Sequence, residues 1–194
     1  MKLVGFATFW ITCGLPVCAQ GSGSDASSPL SEPGIGLHVG LFNAQGDDRW
    51  RGAGGIHYRT GIHELVQADF SLGWSACTVM DGEASVDQYS LDVAANLHLA
   101  SFTSEETWDG YLIYGFGFCD ARARFRGSMA SLGTEGGFVF RSEMGLGAQV
   151  RAGGQCALWA ELRYFTYKET AAELNIDHDE LTTWQLNFGV NVRL

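Results

Sequence analysis

The chain has 194 residues, enough for one ordinary domain, and it combines 26 glycines with only 3 prolines and 12 basic residues. Only Lys2 and Lys168 are lysines, whereas a surface in contact with water normally carries many lysine and glutamate side chains. The net charge of -10 argues against a nucleic-acid partner, which needs a basic stripe on the protein.

The N-terminal residues predict two segments that precede the folded domain. Residues 1–19 are predicted to be a secretory signal peptide, because Lys2 is followed by an apolar run and then by small residues before Gln20. That run is too short, and too often interrupted by polar residues, to indicate a membrane span. Residues 20–33 are small and polar and predict a flexible leader.

From residue 34 to residue 194, apolar residues alternate with polar or small residues in eight segments, as they do in half-buried β-strands. The alternating segments are 35–41, 50–58, 66–74, 89–99, 112–118, 138–150, 158–164 and 184–194. Because closure removes the exposed edges of a sheet, these eight segments predict an all-β fold, namely an eight-stranded antiparallel up-and-down β-barrel. Connections are predicted near 43–49, 76–88, 119–137 and 166–181 at one end, and near 59–64, 101–110 and 152–154 at the other.

The polar face of the predicted strands indicates which side of the barrel points inward. It carries many glycines and, at mid-strand, charges of both signs. A strand face exposed to water gains nothing from glycine, whereas a crowded lumen needs residues with small side chains. Charges of both signs can neutralise one another in such a closed interior. The apolar face is therefore predicted to contact lipid, which makes the barrel transmembrane. A soluble secreted lipocalin-like barrel that binds an apolar ligand is the alternative.

The lumen face also predicts a specific set of ion pairs. If residues 152–154 form a three-residue hairpin loop, counting outward places Glu143 opposite Arg163, with Glu161 on the diagonal. Arg141 lies on the same face. These four residues are predicted to fill and plug the lumen rather than to catalyse a reaction.

Aromatic residues are predicted to form two girdles around an aliphatic band, the pattern of a barrel embedded in a bilayer. One girdle would contain Trp50, Trp74, Tyr89, Phe118, Phe138 and Trp184, and the other Tyr58, Phe102, Trp108 and Tyr111.

The span from Gly34 to Leu194 resembles the eight-stranded outer-membrane barrels of the OmpA, OmpX and OmpW type. The resemblance rests on the signal peptide, the strand count, the asymmetry between short turns and long loops, and the terminal stretch LNFGVNVRL. It implies a location in the cell outer membrane after secretion to the periplasm, and recognition of the last strand by the barrel-assembly machinery. In that family the signal is usually a terminal aromatic residue, and Leu194 departs from this pattern.

Catalysis has little support in the sequence. An outer-membrane enzyme that modifies lipid A needs a serine, a histidine and an acid at the level of the outer leaflet. Only His178 lies in a predicted outer loop, and no serine stands at a recognisable spacing from it. His38, His57 and His98 map to the lumen face, where they are predicted to be hydrogen-bonded residues rather than ligands. We therefore predict no catalytic residue, no cofactor and no metal site; a lipid A-modifying enzyme is the last alternative.

The stretch ARARFRG, residues 121–127, places three arginines in a predicted outer loop: Arg122, Arg124 and Arg126. Guanidinium groups suit phosphate, so these residues are a hypothetical contact for lipopolysaccharide phosphates. Pairing with acidic residues of neighbouring loops is the alternative.

A disulfide is conceivable only between Cys77 and Cys119, which reach the same end of the barrel on strands separated by a third. It would require their Cα atoms to lie within about 7 Å of each other.

Together these patterns predict a small, non-enzymatic integral outer-membrane β-barrel with a polar plugged lumen and an envelope-structural or surface-contact role. The expected partners are outer-membrane lipid, lipopolysaccharide and, during biogenesis, the barrel-assembly machinery. We expect a monomer with no nucleic-acid partner. Eight strands enclose an interior just wide enough for side chains, so a general pore is not expected.

Overall fold

A computed structural model describes residues 33–44, 50–79, 84–99, 108–125, 134–152, 155–168 and 182–194. The predicted signal peptide and almost all of the predicted leader lie outside these residues. The described part of the chain contains no helix long and apolar enough to cross a membrane.

Eight antiparallel strands form one closed barrel, which confirms the predicted fold class. In chain order they are β1 (Gly34–Ala44), β2 (Arg51–His63), β3 (Val66–Val79), β4 (Ala84–His98), β5 (Trp108–Phe125), β6 (Thr134–Arg151), β7 (Cys156–Lys168) and β8 (Thr182–Arg193). Each strand pairs with its neighbours in the chain, and β1 pairs with β8 to close the sheet.

The barrel has two different ends. We call the end at which β1, β3, β5 and β7 finish the loop rim, because the longest connection, 169–181, lies there. The other end, which carries residue 33, residue 194 and the connection at 64–65, is called the terminal rim.

The apolar face of the strands points outward and the polar face points into the barrel. Phe70 and Leu97 are 43% and 44% exposed, whereas their chain neighbours Asp69 and Asn96 are 1% and 0% exposed. A lipocalin-like barrel requires the reverse orientation, with apolar side chains around a central ligand. The soluble alternative is therefore wrong, because the interior is polar and the exterior is apolar.

Most aromatic residues of the two predicted girdles do face outward. Those expected near the loop rim are all well exposed: Trp50, Trp74, Tyr89, Phe118, Phe138 and Trp184. Tyr58 and Trp108 are exposed toward the terminal rim, and Phe102 lies outside the described residues. Tyr111 was wrongly placed in a girdle. It is out of phase with the outward-facing Leu112 and is buried in the lumen.

The central strands continue further toward the loop rim than the sequence predicted. Much of the predicted connections at 76–88 and 119–137 is strand, because β3 to β6 extend through these residues. Beyond the apolar band the outward positions become polar, as at Asp87 and Asp120. The backbone hydrogen bonds between strands continue there although the alternation of apolar and polar residues has ended. The sequence pattern therefore underestimated the length of these strands.

The register between β6 and β7 differs by two residues from the prediction. The Ala152 N–H donates to the Cys156 carbonyl at 2.9 Å, so the connection is longer than the predicted three-residue loop. As a result Arg163 lies opposite Gly145, and Glu143 lies opposite Phe165. Arg163 and Glu143 are therefore diagonal neighbours rather than a directly opposed pair.

Glycines on the lumen face make room for the large side chains of neighbouring strands. A Cβ atom on Gly147 would overlap the ring of Tyr111, the residue directly opposite on β5. An aromatic ring that covers a cross-strand glycine in this way restores packing which the glycine itself cannot supply.

Substitution of Gly147 by alanine is expected to destabilise the barrel by about 1–3 kcal/mol, because the buried Tyr111 ring must move. Gly52→Ala is the matched control, since a Cβ at Gly52 meets nothing within 4 Å. The measurement is the free energy of urea unfolding in lipid vesicles. Equal stability of the two variants would contradict this account of the lumen glycines.

Candidate functional site

The lumen contains a cluster of seven charged side chains, each no more than 7% exposed. We call this set the charged cluster; its members are Arg59, Asp69, Asp92, Arg141, Glu143, Glu161 and Arg163. The strand alternation directs them all inward, since their neighbours in sequence face the lipid. Charges removed from water in this way need partners of opposite sign with good geometry.

Arg59 on β2 connects four side chains from three other strands. Its Nε donates to Asp69 Oδ2 at 3.1 Å, its Nη1 to the Tyr111 hydroxyl at 3.2 Å, and its Nη2 to Glu161 Oε1. Its guanidinium carbon lies 4.6 Å from the ring centre of Trp159, within cation–π range. Arg59 is completely buried.

Arg163 on β7 holds three carboxylates. Its Nη1 donates to Glu143 Oε2 at 3.0 Å, its Nε to Glu161 Oε2 at 2.8 Å, and its Nη2 to Asp69 Oδ2 at 3.0 Å. Asp69 lies on β3, so this guanidinium reaches across the lumen. Arg59 and Arg163 share Asp69 and Glu161, which makes one continuous network.

Arg141 and Asp92 form a separate two-bonded pair beside that network. Arg141 Nε lies 2.8 Å from Asp92 Oδ1, and Nη2 lies 2.6 Å from Oδ2. The two residues belong to β6 and β4, which lie on either side of β5, and the β5 residue opposite both is Gly117. A Cβ on Gly117 would collide with the Asp92 carboxylate. Glycine at this position therefore lets an ion pair span a whole strand.

The charged cluster closes the middle of the barrel. Its hydrogen bonds join β2, β3, β5, β6 and β7, and the Arg141–Asp92 pair adds β4. A narrow polar cleft lies next to the cluster on the loop-rim side, with Ser75, Gln88 and Gln185 among its lining residues. Such an arrangement is suited to holding the strands in one register and to obstructing passage through the lumen.

The structure places the four predicted lumen residues in the same region, and Glu143 and Arg163 form an ion pair at 3.0 Å as predicted. Glu143 and Glu161 both accept hydrogen bonds from Arg163, whereas Arg141 bonds to Asp92. The predicted direct opposition of Glu143 and Arg163 is wrong for the reason of register given above.

Two central members of the site were missed by the sequence analysis. Arg59 was assigned to a connection near 59–64, because the alternating segment before it was taken to end at Tyr58. The signal that could have found it is its spacing, since Arg59 has the same phase as the lumen residue His57, and Ile62 continues the outward alternation. Tyr111 could have been recognised in the same way from its phase relative to Leu112.

The lumen histidines lie in two separate places. The rings of His38 and His57 are stacked with centres 6.1 Å apart, and Trp159 packs on His57 at 5.0 Å. His98 instead contacts Asp109 through its Nδ1 atom, toward the terminal rim. Among the described residues no three His, Cys, Asp or Glu side chains are grouped as metal ligands.

Arg122 and Arg124 lie in strand β5, not in the loop to which they were assigned. They point outward beyond the aromatic residues of the loop rim. Arg122 donates to Asp120 Oδ2 through Nε at 3.0 Å and Nη2 at 2.9 Å, and Arg124 lies 3.7 Å from Asp87. We call these four residues the outer charged patch. Arg126 lies outside the described residues.

The two candidate disulfide partners are kept apart by the strand register. On β4, Cys77 lies opposite Val86 and Cys119 lies opposite Ser90, so the cysteines are on opposite sides of β4 and four residues apart along it. Four residues of strand span about 13 Å. This exceeds the distance that a disulfide allows, and the hypothesis of a Cys77–Cys119 bond is wrong.

An uncharged, outward-facing apolar belt around a polar, filled lumen defines the class of transmembrane β-barrels. The family comparison agrees: the model of the outer membrane protein beta-barrel domain matches residues 11–193. The chain belongs to this family.

Several solved barrels are similar to this chain in fold at low sequence identity. The Neisserial surface protein A has a TM-score of 0.63 and 12% identity, with 84% of this chain and 96% of that chain covered. The attachment invasion locus protein of Yersinia pestis has a TM-score of 0.55 and 13% identity, with 84% and 99% covered. The outer membrane enzyme PagL has a TM-score of 0.54 and 11% identity, with 79% and 97% covered.

A search of curated proteins gives no match. The structural neighbours are too distant in sequence to transfer a function, and they include both an enzyme and a protein named for attachment and invasion. The shared fold therefore does not assign a function to this chain.

Substitution of Arg163 by methionine is expected to cost about 3–5 kcal/mol of folding free energy, because three buried carboxylates lose their shared cation. The control is Arg122→Met, which removes an exposed pair and should leave stability unchanged. Both variants are compared by urea unfolding in vesicles. An Arg163→Met barrel as stable as the control would show that the charged cluster does not stabilise the fold.

Proposed function

We propose that the protein is a small integral barrel of the outer membrane, with its loop rim at the cell surface, and that it acts in envelope structure or surface contact rather than in catalysis. The observation that carries this proposal is the closed ring of lipid-facing apolar side chains around a lumen filled by the charged cluster. The expected final location follows from membership of the outer-membrane family.

The packing of the lumen supports a role without conduction. Arg59, Glu161 and Tyr111 meet across its centre and are each no more than 1% exposed. An ion that crossed the barrel would have to displace these paired charges. An eight-stranded barrel has no spare cross-section beside them.

The positions of the histidines support a role without catalysis. In the described residues, His38, His57 and His98 face the lumen and His63 ends β2 at the terminal rim. None of these four lies near the loop rim, where the head groups of the outer leaflet would be reached. His178, the histidine that the sequence places in an outer loop, lies outside the described residues.

Contact with lipopolysaccharide is a second proposed function, carried by the outer charged patch. Arg122 and Arg124 have side chains 59% and 64% exposed, and both stand on the outer wall above the aromatic girdle. Aromatic girdles mark the membrane interface of such barrels, so we expect lipid phosphates to lie near this height. The pairing with Asp120 and Asp87 orients the guanidinium groups while leaving much of each exposed.

The proposed location and closed lumen are tested with the full chain in a Gram-negative host. The protein should fractionate with the outer membrane and migrate differently on a gel before and after boiling. In planar bilayers the purified barrel should give no regular unitary current steps. Stable channels would contradict the proposed closed lumen, and modification of lipid A by the purified protein would contradict the proposed role without catalysis.

Lipopolysaccharide contact is tested with the double variant Arg122→Gln, Arg124→Gln. Its affinity for lipopolysaccharide in detergent should fall roughly fivefold, because two exposed charge-assisted contacts are lost. Arg151→Gln is the matched control, since Arg151 is also exposed but lies at the terminal rim. Unchanged affinity of the double variant, or an equal loss in the control, would remove this second function.

A further inference from the structure

The charged cluster does not balance if every member carries its usual charge. It contains three guanidinium groups, from Arg59, Arg141 and Arg163, and four carboxyl groups, from Asp69, Asp92, Glu143 and Glu161. All seven are buried, so an unmatched negative charge would lie in a region of low dielectric constant. That is costly unless another cation or a proton compensates it.

The hydrogen bonds identify which carboxyl group is the least compensated. Asp92 receives two hydrogen bonds from Arg141, and Asp69 and Glu161 each receive hydrogen bonds from both Arg59 and Arg163. Glu143 receives a single bond, from Arg163 Nη1 to Oε2 at 3.0 Å. Its other oxygen, Oε1, is buried without a hydrogen-bond partner.

The surroundings of Glu143 make its ionised form still less favourable. On β5 the residue opposite is Gly115, which contributes no side chain, and a Cβ there would lie only 2.7 Å from Oε1. The charged groups around it are Asp92 on β4, Asp69 on β3 and Arg163 on β7, together with Arg141 on its own strand β6. Glu161 on β7 is bound to the same Arg163. Both arginines in this set already bind other carboxylates, so Glu143 shares its one cation with two competitors.

We propose that Glu143 is a buried proton-binding site, held as a neutral carboxylic acid at neutral pH, so that the charged cluster carries three positive and three negative charges. The proton sits on Oε1, the oxygen that accepts nothing from the protein. Oε2 still accepts the hydrogen bond from Arg163, because the carbonyl oxygen of a neutral carboxyl group remains an acceptor. The charged cluster then has no net charge to compensate.

Infrared spectroscopy on the wild-type barrel tests the proposal directly. Protein labelled with ¹³C at the glutamate side-chain carboxyl groups should show a protonated-carboxyl C=O band at neutral pH that shifts with the label. The same band should be missing from Glu143→Gln and present in Asp109→Asn, whose carboxyl group lies near the terminal rim. Absence of a label-sensitive band in the wild type, or its persistence in Glu143→Gln, would overturn the assignment.

Stability gives an independent readout. Glutamine imitates a neutral carboxylic acid, so Glu143→Gln should keep the wild-type urea midpoint, whereas Glu161→Gln should lower it strongly because that carboxylate balances two arginines. Equal losses in the two variants would show that Glu143 is ionised. If the compensating proton sat on His38 or His57 instead, the wild type would lack the carboxyl band, and the proposal would be wrong.

Discussion

The exclusion of charge from the outer wall is the constraint on which the rest of this barrel depends. Hydrocarbon cannot solvate an ionised side chain, so each charged residue within the apolar belt has to lie on the lumen side of its strand. A lumen enclosed by eight strands then brings those charges close together. Their mutual neutralisation becomes a condition of folding, which explains why Arg59 and Arg163 each serve more than one carboxylate.

Steric complementarity between strands is the second requirement, and glycine meets it on β5 and β6. The ion pair between Arg141 and Asp92 crosses β5 because Gly117 has no side chain in its path. The ring of Tyr111 lies over Gly147 in the same manner. Glycines on the lumen face, such as Gly117 and Gly147, are therefore a packing property of a narrow polar interior, because each is matched to a large neighbouring side chain.

The alternation of residue types was sufficient to predict the strand count, closure and the orientation of the two faces, because lipid contact imposes an uncharged and mostly apolar phase. It was insufficient beyond the bilayer, where Asp87 and Asp120 continue the strands without any apolar signal. The site was only partly predictable. Side-chain phase put Glu143 and Arg163 in the lumen and predicted their ion pair. Whether the two residues are directly opposed or diagonal depends on register, and a two-residue difference at one hairpin cannot be read from residue types. Arg59 was missed for a different reason: the alternating segment was taken to end at Tyr58, whereas strand β2 continues to His63.

The unequal heights of the barrel wall have a consequence for recognition at the loop rim. β5 and β6 are 18 residues long, whereas β1 and β8 have 11 and 12, so one side of the barrel rises above the other. Charged groups on that raised side belong to a hydrogen-bonded sheet and keep fixed spacings. Binding of a ligand to these groups would cost less conformational entropy than binding to a loop that must first become ordered. The taller wall thus supplies a stiff, pre-arranged surface at the height where the membrane ends.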